Sequence, residues 1–303
     1  MKIDAVFEGG GVKGMAFVGS ICCLEEKNYS FERFAGTSAG SVIAALLAVG
    51  YTGKEIKNIM LNTDFRRFIN NKKSIKVYKL YGLLKNKGIH TNDYIEQWLR
   101  ELLSKKGKLK FKDVSVKGES KLKIIASDIT RHEMLILPDD LKNYGLDPME
   151  FDIAKAVRMS TSIPFYFEPY KLYYKDGVSF IVDGGLLSNY PIWIFDIKGI
   201  PRWPTLGFNL IGEGQSLTSQ GKNDIFSYSL DIVSTMLNRK EDIYIREKDR
   251  VRTIYIPTLG VKTTDFDISK ETSLKLFNEG YSSTENFLTN WSFSAYVRNH
   301  RMI

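Results

Sequence analysis

The sequence predicts an α/β protein in three layers: a mainly parallel sheet with helices on both faces. Three observations carry this expectation. Short, nearly continuous apolar runs of strand length alternate with longer apolar or amphipathic runs of helical length. The first two strands each end in a glycine-rich turn that opens a helix, at 9–14 and 36–40. No linker rich in Pro, Gly or Ser divides the chain and no internal repeat is found. Residues 1–303 are therefore expected to form one domain, with an insertion or lid near 51–91.

Taken in order, residues 2–7 read as a buried strand and 12–27 as an apolar helix. "FERFAGTSAG" at 31–40 reads as a second strand entering a tight turn, and 41–49 as another apolar helix. Asn92 can cap a helix whose Ile95, Trp98, Leu99, Leu102 and Leu103 recur at helical spacing. Residues 121–129 and 132–138 read as consecutive strands, 149–160 as a short helix and 178–185 as a strand ending in glycines. A strand near 205–211, a helix near 224–240, a strand at 251–256 and a helix at 270–288 follow. Leu274, Phe277 and Tyr281 are expected to share a face of the last helix.

With 43% hydrophobic residues the chain can bury a substantial core. The only cysteines, Cys22 and Cys23, are neighbours inside an apolar run, where disulfide geometry is out of reach, so they read as reduced core residues. "MKIDAVFEGG" lacks the apolar stretch of a signal peptide, and the longest purely apolar run, "VIAALLAV", is far too short to span a bilayer. A cytoplasmic protein able to lie on a membrane is the expectation.

The net charge of +8 is unevenly placed. Between Asp64 and Asp93 no acidic residue occurs, while Arg66, Arg67, Lys72, Lys73, Lys76, Lys79, Lys85 and Lys87 do. Phe65, Phe68, Ile75, Tyr78, Tyr81 and Leu83 are interleaved with them. One reading is a solvated surface insertion. The other is a surface that meets anionic lipid, each nearby Lys or Arg adding roughly 1 kcal/mol, with Lys72, Lys73, Lys76 and Lys79 as its centre. Nucleic acid is a weaker alternative, since no recognisable nucleic-acid module accompanies the charge.

Gly9, Gly11 and Gly14 satisfy the dinucleotide fingerprint G-x-G-x-x-G, and the same bare backbone could instead donate N–H groups to an oxyanion. The second motif decides between these. Gly36-Thr37-Ser38-Ala39-Gly40 is G-x-S-x-G at a strand-to-helix turn, the setting of a nucleophile elbow. The helix it opens points its partial positive charge at Ser38. The fingerprint's acidic partner is only doubtfully supplied, by Glu32, and the strand that should carry it ends in the serine turn. Two glycine-rich strand ends side by side give one nucleophile and one set of amides.

A serine needs a base. Asp183 ends an apolar strand, and Gly184 and Gly185 let the chain turn away without crowding it; a plain Asp-Gly turn is the structural alternative. Of the three histidines, His90, His132 and His300, only the last follows Asp183, three residues from the end. A Ser38–Asp183 dyad is the more economical arrangement, with a base ionising near pH 4 unless perturbed.

Together, Gly9-Gly10-Gly11-Val12-Lys13-Gly14, Gly36-Thr37-Ser38-Ala39-Gly40 and Asp183-Gly184-Gly185 resemble the patatin-like phospholipases. "MSTSIPFYFEP" at 159–169 and "LLSNYP" at 186–191 are similar to that family's proline-containing segments. The resemblance covers roughly 3–195. It implies a lipid acyl hydrolase with Ser38 as nucleophile and Asp183 as base, no metal and no cofactor, acting on phospholipid or another acyl ester. Amides of Gly9, Gly10, Gly11 and Ala39 would hold the oxyanion, with Lys13, Gly14, Gly36, Gly40, Gly184 and Gly185 in support. Lys13 could shape the loop's potential or meet a lipid phosphate; a solvent-facing lysine is the plain alternative. An acyltransferase or a non-catalytic membrane-binding protein on the same scaffold remains an alternative.

Overall fold

A computed structural model describes residues 1–69, 85–212 and 247–300, together with Tyr228 and Thr235. Its centre is a mixed, mostly parallel sheet. The strands are β1 (Lys2–Phe7), β2 (Ser30–Thr37), β3 (Leu122–Asp128), β4 (Glu133–Leu137), β5 (Tyr170–Tyr174), β6 (Gly177–Asp183), β7 (Thr205–Ile211) and β8 (Thr253–Pro257). Their order is β8-β7-β1-β2-β3-β6-β5, with β4 also paired to β3. The pairs from β8 to β3 are parallel; β3–β4, β3–β6 and β6–β5 are antiparallel.

The register around β3 fixes what the site becomes. β4 pairs with 124–128, overlapping both β2, which pairs with 122–125, and β6, which pairs with 126–128. A strand has two edges, so β2 and β6 must share the one that β4 does not use. β2 runs parallel to β3 and β6 antiparallel to it. The carboxyl ends of β2 and β6 therefore meet head-on, Thr37 opposite Ile125 and Asp183 opposite Ala126.

The helices are α1 (Met15–Glu26), α2 (Ala39–Ala48), α3 (Gly53–Leu61), α4 (Asp93–Lys105), α5 (Ile153–Ser160), α6 (Lys270–Asn290) and α7 (Phe293–His300). Helix α1 is buried from Met15 to Leu24 because its sequence is apolar on every side. Phe7 of β1 stacks on Phe208 of β7 at 4.8 Å and tilts against Phe17 of α1 at 5.5 Å. Burying each such ring contributes roughly 1.5–3 kcal/mol, so these three anchor the sheet to its helical layer. Val6 and Ala35 point to the opposite face, where Tyr190, Ile192 and Phe195 cover them. Cys22 and Cys23 are buried free thiols.

Three expectations are corrected in detail. Helix α6 does not turn Leu274 inward: it is 40% exposed, and Ser273, Leu276, Phe277, Gly280 and Thr284 form the buried face. The reason is a backbone-to-backbone approach, since a Cβ on Gly280 would strike the Ala16 carbonyl and one on Gly19 the Phe277 carbonyl. Asn92 sits at the N-cap of α4 without capping it; its Nδ2 donates instead to Thr161 Oγ1 at 2.9 Å. The stretch expected as an insertion begins as core: Thr52 and Glu55 form a capping box for α3, whose Ile56 is fully buried. Lys72, Lys73, Lys76 and Lys79, and all of the helix expected near 224–240 except Tyr228 and Thr235, lie outside the described residues.

Candidate active site

Ser38 stands between β2 and α2 with φ 51° and ψ −123°. That left-handed backbone is costly for a residue with a Cβ, on the order of 1–3 kcal/mol, and persists only where neighbours enforce it. They do so here. The Ser38 N–H donates to Ser160 Oγ at 2.9 Å, and the Ser160 hydroxyl donates to the Ile125 carbonyl at 2.5 Å. Ser41 Oγ donates to the Ser38 carbonyl at 2.6 Å, and Thr37 Oγ1 to the Ser188 carbonyl at 3.0 Å. The flanking glycines are required by space: a Cβ on Gly36 would overlap the backbone of Gly40, and one on Gly40 the carbonyls of Phe7 and Glu8. The second of these approaches sets the first turn of α2 directly against the end of β1, beside the glycine loop.

Asp183 arrives from the other direction. Its N–H donates to the Ser162 carbonyl at 2.9 Å, and its Oδ1 accepts from Gly185 N–H at 2.8 Å. A Cβ on Gly184 would collide with the Ile125 carbonyl, so glycine is needed where β6 leaves the sheet. Burial pushes the Asp183 carboxyl up to about 6, against hydrogen bonding from the Ser38 side chain and from Gly185, both of which lower it. The Ser38 side chain is thus near enough to act on the Asp183 ionisation, while the buried Oδ2 has no hydrogen-bond partner among the described residues. Catalytic hydrogen bonds are commonly loose before substrate arrives. Among the described residues, Ser38 and Gly185 are the groups whose hydrogen bonds lower the Asp183 pKa. His90 packs against Tyr166 at 5.1 Å, and His132 lies on an exposed turn.

The first glycine loop is held by Asn189, six residues beyond Asp183. Gly9 N–H donates to the Asn189 carbonyl at 3.0 Å, and Asn189 Nδ2 donates to Glu8 Oε1 at 3.0 Å and the Gly9 carbonyl at 3.4 Å. Glu8 Oε2 accepts from Leu210 N–H at 2.6 Å. The Gly9 amide, one of the four expected oxyanion donors, is therefore engaged in holding the loop. Gly11 adopts φ 57° and opens a short 3₁₀ turn, Gly11–Gly14, under the Thr263 carbonyl that accepts from Val12 N–H at 3.2 Å. The first amides of a helical turn have no acceptor within it, which leaves those of Gly11 and Ala39 as donors, with Gly10 just before. Lys13 is half-buried; desolvation lowers its pKa, opposed by Glu8 and Asp265. It is not the solvated lysine of the plain alternative.

From Ser38 an apolar cleft opens, with a cavity volume of about 70 Å³. Ala39, Val42 and Ile43 line it from one face of α2, and Ile95 and Trp98 from α4. Phe65, Phe68, Phe167 and Phe266 close it. Phe68, read from sequence as an aromatic among surface lysines, is buried against Phe65, Tyr94 and Trp98 with ring centroids 5.3–5.5 Å away. Such a slot suits an extended hydrocarbon chain. No described helix is long and apolar enough to cross a membrane.

The chain is similar to several known proteins. YqhO of Bacillus subtilis (strain 168) is 39% identical over 296 residues, 97% of this chain and all of that one. A probable lipid hydrolase, 463L of Invertebrate iridescent virus 6, is 29% identical over 195 residues, 62% of this chain and 61% of that one. Among solved structures, VipD from Legionella pneumophila superposes with a TM-score of 0.57 at 20% identity, over 95% of this chain and 66% of its own. The type III effector ExoU from Pseudomonas aeruginosa gives 0.53 at 16%, over 95% of this chain and 53% of its own. The chain thus spans about two thirds of VipD and half of ExoU, and what it shares with them is the fold. Residues 5–196, which hold both glycine turns, the strained serine and the Asp-Gly-Gly turn, match the model of the patatin-like phospholipases, and the chain belongs to that family.

Proposed function

We propose that the protein hydrolyses fatty-acyl esters of phospholipids by a Ser38–Asp183 dyad. The observation that carries this reading is the head-on meeting of β2 and β6, which brings a strained serine and a buried carboxyl together at the mouth of an apolar cleft. Asp183 accepts the Ser38 proton as Oγ attacks the ester carbonyl. The oxyanion is received by the amides of Gly10, Gly11 and Ala39, and such preorganised donors are worth a few kcal/mol each. The proton then passes from Asp183 to the departing alcohol or lysolipid oxygen. Water, losing a proton to Asp183, opens the acyl-enzyme and releases the fatty acid, and Asp183 passes that proton to the departing Ser38 Oγ. The likeness to a probable lipid hydrolase supports the substrate class. With no membrane-spanning helix described, the enzyme would meet its substrate from the water side.

The test is incubation with a mixed phospholipid extract, followed by mass spectrometry of the lipids. Fatty acid and lysolipid should appear with the native protein and not with Ser38→Ala, and a fluorophosphonate should label Ser38. Labelling of another serine, with Ser38→Ala still active, would overturn the assignment.

A further inference from the structure

Two large apolar residues are held in the left-handed backbone region, Phe165 at φ 64° and Leu259 at φ 52°, and both are exposed, by 37% and 46%. Polar residues such as Asn28, at φ 61°, adopt this conformation at less cost, and for bulky side chains it is an outlier that calls for a reason. In a regular strand Phe165 and Phe167 would share a face. The left-handed turn at Phe165 breaks that alternation, so Phe167 is buried in the cleft wall while Phe165 is partly exposed.

Leu259 sits on a loop and Phe165 opens the short strand Phe165–Phe167, and both segments are tied to the site. Ser162, three positions before Phe165, accepts the Asp183 N–H; Thr263, four beyond Leu259, accepts the Val12 N–H beside Gly11. A third segment, the Asp-Gly-Gly turn itself, exposes Leu187 by 45% next to Ser188, whose carbonyl accepts from Thr37. Three separate segments hydrogen-bonded to the site thus each present one apolar side chain. We infer that Phe165, Leu187 and Leu259 form a rim that enters the apolar layer of a phospholipid surface and seats the cleft mouth against it. The choice of lipid as occupant rests on the proposed function and on the rim's continuity with the apolar cleft.

The experiment is cosedimentation with phosphatidylcholine vesicles at high salt, where attraction between charges is screened. The variant is Phe165→Asn, Leu187→Ser and Leu259→Asn together, since asparagine accepts the left-handed backbone. Vesicle binding should fall roughly tenfold, as three partly buried apolar side chains are lost. Turnover of a short soluble ester should stay within about twofold. Val116→Ser with Ile200→Ser is the control: these residues are 52% and 54% exposed, beside the amino ends of β3 and β7, and should leave binding unchanged. A separate reading attaches a polarity-sensitive dye at Leu187→Cys or at Val116→Cys; only the first should shift to the blue on adding vesicles. Unchanged binding by the triple variant, or equal dye shifts at both positions, would overturn the rim. Failure of the hydrolase reading is seen independently, as no soluble-ester turnover by any of these proteins.

Discussion

Ser38 and Asp183 lie at the ends of two strands that run toward each other along one edge of β3 and stop at adjacent rungs, Ile125 and Ala126. Little side-chain reach is needed to join them, because the backbone pairing has already brought them together. The same meeting point buries the carboxyl, and its consequences for pH and stability can be worked out.

Replacing Asp183 by Asn should lower kcat on a soluble ester by 10²–10⁴-fold, the usual worth of general-base assistance. It should also stabilise the fold. The folded carboxyl ionises at about 6 and an unfolded one at 3.8, so the native state binds the proton more tightly. A penalty for charging therefore appears as pH rises from about 4 to 6 and stays constant above, at roughly 3 kcal/mol. Asn removes it. Thermal denaturation should show the variant more stable than the parent by several degrees at pH 7.5, with the gap shrinking toward pH 4. A gap that does not narrow in acid would mean that Asp183 is not held protonated by burial.

The acid limb of the pH–rate profile should accordingly fall near pH 6, not near the pH 4 expected of an ordinary carboxylate. Six is also where histidine titrates, so the profile alone does not separate a dyad from a triad. Changing His90, His132 and His300 to Gln together does. The protein should retain most of its kcat and the same acid limb, whereas a Ser–His–Asp enzyme would lose several powers of ten. A folded but inactive histidine-free protein would end the dyad mechanism.

Much of this was legible in the sequence because glycine reports backbone geometry directly. Gly36, Gly40 and Gly184 each stand where a Cβ would meet a carbonyl, and each belongs to a motif with a known local shape. That 2–7, 31–37, 121–129 and 178–185 are strands followed from apolar runs and strand-end turns. What could not be read are relations across the chain. Nothing in the periodicity of α6 shows that Gly280 seats it on Ala16, and an apolar face counted from Leu274 overlooks a small-residue face. Ser160 and Asn189 are ordinary polar residues until β2 and β6 converge; their signal lay only in the segments "MSTSIP" and "LLSNYP". Phe68 was misplaced because neighbouring lysines suggested a surface, while its ring packs toward Trp98, thirty residues away.

Asn189 offers a test of how the oxyanion loop is held. Asn189→Asp keeps the shape but replaces the donor to Glu8 Oε1 by a second carboxylate, with both groups buried. Two carboxylates at hydrogen-bond distance cannot both ionise, and one takes up a proton or the loop shifts. At pH 8 kcat should fall by about tenfold or more, as an unmade buried hydrogen bond costs roughly 1–3 kcal/mol. At lower pH, where protonation of the pair is easier, the deficit relative to the parent should narrow. Soluble-ester kinetics at pH 8 and at the lower pH measure this directly, and an equal deficit at both would argue that Asn189 does not act through Glu8.

The cleft makes a claim about chain length. Val42 lies four residues beyond Ser38 on α2, about 6 Å along the helix axis, and faces the cleft half-buried. An acyl chain held at Ser38 would pass it within the first few carbons. Val42→Phe should therefore leave an acetyl ester nearly unaffected, since two carbons end before the new ring. A long-chain ester should lose at least tenfold in kcat/KM. Phenylalanine is well tolerated in a helix and points into existing space, so the fold should hold, which labelling of Ser38 by a small fluorophosphonate would verify. The discriminating quantity is the ratio of long-chain to acetyl turnover. If it does not change, the hydrocarbon chain takes another route, and the cleft beside α2 is not where the acyl group lies.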